Sequence, residues 1–411
     1  MNTQAIKLTS VQQNNTSNYI GRRKIYLALF GLLMRGTVEN FINVSTLFFA
    51  GQKYEFMQTA IDTIAVLMFI YGLTELISKT GYFVVFSTFF SGIVWIVSGI
   101  INPENVKYMK DSATQFFIYV LPFAWIGYYL IREKIYVTDY LKICRLKLIF
   151  AVITQVMIFI KPSADIFNND YMDSANAILA GLIAVYYLAV TDKRLIDIVL
   201  SISGTVVIMI SGSRGVFLSL IFFWFLYMLF NKSSNKILVI FIMAVAAALI
   251  IAFGNAIMNF IAEISKSIGF STHLIDAIQS NSIFDDSNRI HLFENFWEAI
   301  KQKPLFGYGV LGDRYLSIFF ASKATYPHNI ILEILVNFGF IIGIPLMVAF
   351  TYRVCKALAC RNINVYSTVL VFLSSCIIKL MVSSTFWNDQ VFFLLIGVLL
   401  VPDLYLTERE A

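Results

Sequence analysis

Along most of the chain, apolar residues run in blocks of about 17 to 22, each ended by a charge or a turn, the length a helix needs to cross about 30 Å of hydrocarbon. Strands of a membrane barrel would be half as long and would alternate in polarity. The apolar windows fall at 25–45, 61–77, 82–101, 114–131, 146–160, 174–190, 195–211, 215–230, 237–254, 329–351, 365–381 and 390–406. This pattern predicts an all-α fold, a polytopic transmembrane helix bundle of about twelve spans. No internal repeat is visible, and the segments do not divide into two matching halves.

One connection departs from the short loops. Residues 255–327 separate a first part, 1–254, holding nine windows, from a last part, 328–411, holding three. A structureless loop of about seventy residues would be unusual inside a compact protein, so this one is expected to be folded or functional. The stretch "DDSNRIHLFENFWEAIKQKP" predicts a helix with Asp286 or Ser287 as its N-cap, an apolar face of Ile290, Phe293, Trp297 and Ile300, and Pro304 as its stop. "LFGYGVLGDRY" then supplies a glycine turn, and "YLSIFFASK" suits the membrane surface.

Composition agrees: the 411 residues are 58% hydrophobic and 14% charged, with a mean hydropathy of +0.75, too apolar for a soluble globule. The first twenty residues are polar and run into Gly21-Arg22-Arg23-Lys24, which reads as a loose cytoplasmic tail and not a cleaved signal. With that end inside, the inner loops hold Lys79, Arg132, Lys134, Lys142, Arg145, Lys147, Lys193, Arg194, Lys232, Lys236, Arg353, Lys356 and Arg361. The short outer loops hold only Lys53, Lys107, Lys110, Lys161 and Arg214. Basic residues are retained on the cytoplasmic side, so both termini are expected there and the long loop outside. The net charge of +6 is spread over these loops and forms no stripe, so no nucleic-acid partner is expected. Cys144, Cys355, Cys360 and Cys376 have no metal-ligand spacing and read as small apolar fillers.

Candidate chemistry gathers on the outer side. "SGSRG", Ser211 to Gly215, is a sharp link with Arg214 at its centre, and the next helix points its positive dipole end the same way. It serves either as an anion cradle or as a hairpin whose arginine snorkels to lipid phosphate. Arg289, in the first turn of the loop helix, opposes the helix dipole and needs Asp285, Asp286 or an anionic ligand beside it. Arg314 sits next to Asp313. His328 follows Pro327 at the start of an apolar window, where a helix N-terminus disfavours imidazolium; it is either a base or an interfacial cap. Arg35 and Glu39, four apart on one face, are expected to pair. Glu333 is read as orienting the imidazole, binding sugar hydroxyls, or joining two helices. Asp62, Glu75, Asn337 and Lys379 are further polar residues near spans, where ionisable groups face the bundle interior. Tyr308, Tyr315, Tyr326 and Trp387 could stack on sugars or form an interfacial belt. The outer loops hold no Asp-x-Asp pair for Mg²⁺.

"SGSRGVFLSL", "RIHLFENFWEAIKQKPLFGYG" and "PHNIILEILVNFGFIIG", in that order, resemble the O-antigen polymerase and O-antigen ligase family of bacterial envelope glycosyltransferases. The resemblance covers about residues 200–350 by motif. It implies a metal-independent, inverting transferase of the inner membrane, without cofactor, that takes a glycan from undecaprenyl diphosphate at the periplasmic face. Arg214 and Arg289 match the arginines that would hold the diphosphate, and His328 matches the histidine that would activate the acceptor hydroxyl. Arg314, Glu333, Asn329 and Tyr326 join them as expected contacts to diphosphate or sugar. The expected partners are lipid-linked oligosaccharide donor and acceptor, membrane lipids and a chain-length regulator protein. Polymerase is the leading reading and ligase, which joins the glycan to lipid A-core, the runner-up. A lipid-linked oligosaccharide transporter would show related halves and midplane charges. A scaffold without chemistry would tolerate loss of Arg214 and His328.

Overall fold

The computed structural model describes residues 3–51, 55–160, 171–211, 214–230, 287–320, 326–360 and 362–402. Of these, the side chains of 3–18, 55, 159–160, 171–177, 209–211, 214 and 287–289 lie outside the description. Every regular element among the described residues is helical. Five helices are long and apolar enough to cross a membrane, Tyr19–Ala50, Phe56–Ile101, Pro103–Arg132, Ile330–Leu358 and Ile363–Val382, and four shorter apolar ones accompany them. The window expected at 237–254 lies outside the described residues.

Helix α1 (Thr3–Ala50) includes the polar N-terminal stretch that the sequence suggested would be loose. It runs antiparallel to the first arm of α2 (Glu55–Ile101), with Gly21 against Glu75, Gly72 against Ala28, and Arg35 against Asp62. The two windows expected at 61–77 and 82–101 are a single element bent at Thr80 (φ −132°, ψ 24°). The Thr80 hydroxyl donates back to the Leu76 carbonyl at 2.8 Å, which competes with the helix ladder and bends it. Trp125 shows how sharp the bend is: its ring lies 6.2 Å from Phe69 and its Nε1 donates to Ser87 at 2.8 Å. A straight helix would hold positions 69 and 87 about 27 Å apart, so the two arms fold toward each other.

After a 3₁₀ turn (Pro103–Asn105) come α3 (Val106–Thr114), a π-helical segment (Gln115–Val120) and α4 (Leu121–Arg132). Helix α5 (Thr138–Ile160) lies parallel to α1, tied by Arg22 to Asp139 at one end and by Phe41 to Phe150 further on. Because α5 starts at Thr138, Arg145 and Lys147 sit inside it and not in the preceding loop as the apolar window suggested. The reason is that Arg145 is neutralised by a two-pronged contact with buried Asp197, both distances 2.7 Å. Helices α6 (Tyr171–Thr191), α7 (Leu195–Ser211) and α8 (Arg214–Phe230) complete the first part.

The remaining elements are α9 (Ser287–Gln302), the short α10 (Gly312–Leu316), α11 (Ile330–Leu358), α12 (Ile363–Val382) and α13 (Gln390–Leu399). Helix α13 crosses α4 closely, since a Cβ at Gly127 would stand 2.2 Å from the Leu394 carbonyl oxygen and one at Gly397 2.0 Å from that of Ala124. Small residues are what let two membrane helices approach this far. Of the cysteines, Cys144 and Cys376 are buried fillers, as expected, whereas Cys355 is exposed and Cys360 half-buried.

Helix α11 is broken at Gly339 (φ 64°, ψ −172°), and the break is repaired by another part of the chain. The carbonyls of Val336 and Asn337 accept from the N–H groups of Tyr308 (2.8 Å) and Gly309 (2.9 Å). The N–H groups of Phe340 and Ile341 donate to the carbonyls of Pro304 (2.7 Å) and Leu305 (3.1 Å). Four backbone groups that would have bonded along the helix are thus satisfied by residues 304–309, as buried peptide groups at a break in the helix ladder require. The "GYG" stretch is the turn the sequence predicted, with Gly307 and Gly309 at φ +67° and +79°. Asn105 and Ser98 hold its far side: Asn105 Nδ2 donates to the Tyr308 carbonyl at 2.7 Å, and Val310 N–H donates to Ser98 at 2.7 Å.

Candidate functional site

The first residue of α8, the first turn of α11 and the last turn of α12 meet at one end of the bundle. Asn329 caps α11, its Oδ1 accepting from the N–H groups of Ile331 (3.0 Å) and Leu332 (3.2 Å). The cap therefore belongs to Asn329 and not to His328, and the oxygen expected to meet substrate is engaged with the helix end. His328 stands just before it, half-buried, with φ at 53°. A histidine in the left-handed region is uncommon and is held there by its surroundings. One neighbour is Tyr326, whose ring centroid is 4.1 Å from that of the imidazole.

Arg314 lies behind Tyr326, its guanidinium carbon 4.5 Å from the tyrosine ring centroid. That guanidinium is fixed from three sides. It donates to Asp313, donates to Thr385 at 2.9 Å, and stands 3.8 Å from Glu333. Asp313 and Glu333 are fully buried, and Arg314 keeps 14% of its side-chain exposure. Burial holds the Asp313 carboxyl above its usual range, against the opposing pull of the adjacent Arg314. Glu333 accepts from the Thr385 hydroxyl and from the Phe386 N–H (3.3 Å), so of its three readings the structure supports the join between helices. Arg314, which the sequence marked as a weak candidate beside Asp313, is the centre of this network.

The turn after α12 carries the network across. Tyr326 donates its hydroxyl to the Ser383 carbonyl at 3.3 Å. A Cβ at Gly215 would stand 2.7 Å from Val382 and 3.4 Å from the Ser383 hydroxyl. Position 214, immediately before Gly215, is thereby brought to the turn that Tyr326 touches. The side chains of Arg214 and Arg289 lie outside the described residues, as do Asp285 and Asp286. For Arg289 the described neighbourhood is its helix, which packs Leu292, Phe296, Ala299 and Ile300 into a cluster with Leu335 and Val336 of α11. This corrects the apolar face read from the sequence. Ile290 and Trp297 are exposed, because the stripe that packs on α11 is displaced around the helix from the one expected.

Other expectations shift as well. Tyr308 and Trp387 are buried, which removes them from the residues able to stack on a sugar; Trp387 packs with Trp95, Phe116 and Phe338 instead. Lys379 pairs with buried Asp389, which caps α13 by accepting from Phe392 N–H at 2.8 Å. Arg35 pairs with Asp62 on α2 and not with Glu39, because the antiparallel arm delivers a carboxylate opposite the guanidinium. Thr385 and Ser383 were missed: single hydroxyl residues in a "VSSTFWND" turn carry no signal until that turn is seen against Glu333 and Tyr326.

A family model described as O-antigen ligase matches residues 198–350. This match supports assignment to the O-antigen polymerase and ligase family. The matched stretch takes in Arg214, Arg289, Arg314, Tyr326, His328, Asn329 and Glu333, so it contains nearly the whole network except the turn at 383–386. Members of this family are glycosyltransferase-like enzymes of O-antigen and lipopolysaccharide biosynthesis. This match and the apolar helices around it point to a membrane protein. No curated protein and no solved structure matches it.

Proposed function

We propose that the chain is an O-antigen polymerase of the bacterial inner membrane. It would transfer a glycan from undecaprenyl diphosphate to the non-reducing sugar of another lipid-linked repeat unit at the periplasmic face. The observation that carries this reading is the meeting of His328, Tyr326 and Arg314 with the start of α8, where Arg214 stands, at one end of a membrane bundle. The proposal includes the twelve-span topology, with both termini cytoplasmic and the 255–327 connection on the periplasmic side.

In the proposed reaction His328 takes the proton of the acceptor hydroxyl as its oxygen attacks the anomeric carbon. The bond from that carbon to the diphosphate breaks, and the lipid diphosphate leaves with the electron pair. Arg214 and Arg289 stabilise its charge through forked contacts, a role that needs no metal. Attack opposite the leaving group inverts the anomeric configuration. Arg314 is a positioning residue in this scheme, since its guanidinium is held by Asp313, Thr385 and Glu333 and sits under the ring that packs on His328. Arg314→Lys keeps the charge but loses the planar fork. We expect transfer to fall about ten- to a hundredfold from misplacement of the imidazole. Membrane-protein levels should stay near wild type in the same immunoblotted samples.

The test of function is deletion in the producing cell. A polymerase mutant shows lipopolysaccharide with single repeat units on a gel, restored to long chains by the wild-type chain. Ligase is the second reading, favoured by the description of the matching family, and predicts bare core instead. Unchanged lipopolysaccharide would sink both.

A further inference from the structure

The structure holds a second charged cluster that the reaction above does not use. Arg35 forks onto Asp62 through Nε and Nη2, the latter at 3.0 Å, and its guanidinium carbon lies 4.0 Å from the centroid of the Tyr119 ring. Glu39 stands one turn further along the same face of α1 and is half-buried. These groups lie on helices long and apolar enough to cross a membrane, Arg35 and Glu39 within Tyr19–Ala50 and Asp62 within Phe56–Ile101.

Three features set this pair apart from a clamp between helices. In two other pairs the carboxylate is sealed, with Asp197 and Asp389 at 0% exposure, whereas Asp62 keeps 28%; the cations do not differ in this way, since Arg35 and Arg145 both keep 22%. A second carboxylate also stands by, since Glu39 is near enough to interact electrostatically with both Arg35 and Asp62. It also adjoins a π-helical segment, which frees the Tyr119 carbonyl to accept from Gln390 Nε2 at 3.3 Å. Single π turns inside helices gather at functional sites. Gln390 and Thr385 are five residues apart, and Thr385 is bonded to Arg314. Cα atoms five residues apart on one chain lie at most about 17 Å from each other. The cluster is therefore within reach of one extended oligosaccharide from the His328 rim.

We propose that Arg35, Glu39 and Asp62 form a glycan subsite that holds sugar units remote from the reacting bond. The proposal rests on the transferase reading for its place in the reaction, but its chemistry is local. The unused donors of Arg35 and the carboxylate oxygens of Asp62 and Glu39 supply both halves of the hydrogen bonds that neighbouring sugar hydroxyls make. The second carboxylate turns away phosphate, so the ligand is the neutral or amino-sugar portion of the substrate and not its diphosphate.

The probe is the free repeat-unit oligosaccharide, released from the producing cell's surface polysaccharide and carrying neither lipid nor phosphate. Its binding to the purified full chain in nanodiscs is measured by calorimetry. Glu39→Gln should weaken binding tenfold or more with an unchanged melting temperature. The exchange Arg35→Asp with Asp62→Arg restores the ion pair, so it should melt like wild type yet bind no better than Glu39→Gln. Native binding in Glu39→Gln, or in a stably folded exchange variant, would overturn the subsite, as would absence of binding to wild type. Competition by undecaprenyl phosphate would overturn it in favour of an anion site. A wild-type chain that binds the oligosaccharide but transfers none would sink the transferase reading and leave the subsite standing.

Discussion

His328→Ala will lose glycan transfer by about 10²- to 10⁴-fold, the usual contribution of a positioned general base. The protein itself should persist. His328 lies before the cap and not in it, so Asn329 still closes the end of α11, and removing the imidazole leaves the Arg314 contacts to Asp313 and Thr385 untouched. The measurement is extension of a lipid-linked repeat unit by purified protein, set beside the melting temperature of the same sample. A variant with wild-type turnover would remove His328 from the chemistry. One that lost activity only because it unfolded would leave a structural role. Alanine also meets the strain at φ 53° no better than histidine, so no gain in stability should offset the loss.

Gly339→Ala should have the largest effect on folding. The backbone at φ 64°, ψ −172° belongs to a region essentially restricted to glycine, at a cost of about 1–3 kcal/mol for another residue. Space is lacking too: a Cβ there would stand 2.3 Å from the Leu305 carbonyl oxygen and 2.6 Å from the Phe306 nitrogen, both backbone atoms. The loop must back away, and four hydrogen bonds go with it. We expect a melting temperature lower by several degrees at least and a loss of transfer, because α9, with Arg289, is continuous with that loop. Gly343→Ala is the control. Its closest contact would be 3.2 Å, to the Ile334 Cγ2 methyl, with no backbone atom nearer than 3.4 Å, and the position is helical, so it should be tolerated within about 1 kcal/mol. Equal melting of the two variants would show that the break at Gly339 is not what holds the loop.

What the sequence disclosed and what it concealed follow from the range of the forces involved. Apolar block length is a property of a single segment, which is why helices appear at every expected window within the described residues. Charges near loops mislead when a distant carboxylate is available: Arg145 is drawn into α5 by Asp197, 52 residues on, and Arg35 finds Asp62 across a hairpin in place of Glu39 on its own helix. The same holds at the rim. Asn329 and His328 could be read from a Pro-His-Asn start, but the importance of Arg314 depends on Glu333 and Thr385, neither of which is near it in sequence. The short motifs that carried the family resemblance are the parts of the site whose meaning is local.

Residues 304–309 leave the ribosome before α11 does, yet the carbonyls of Pro304 and Leu305 and the amides of Tyr308 and Gly309 find their partners around Gly339. The loop must therefore wait, and the rim that holds His328 takes shape late in biogenesis, once the following helix has been threaded into the bilayer. A nascent chain halted short of that helix would carry four peptide groups without their native partners, the kind of defect that quality control destroys.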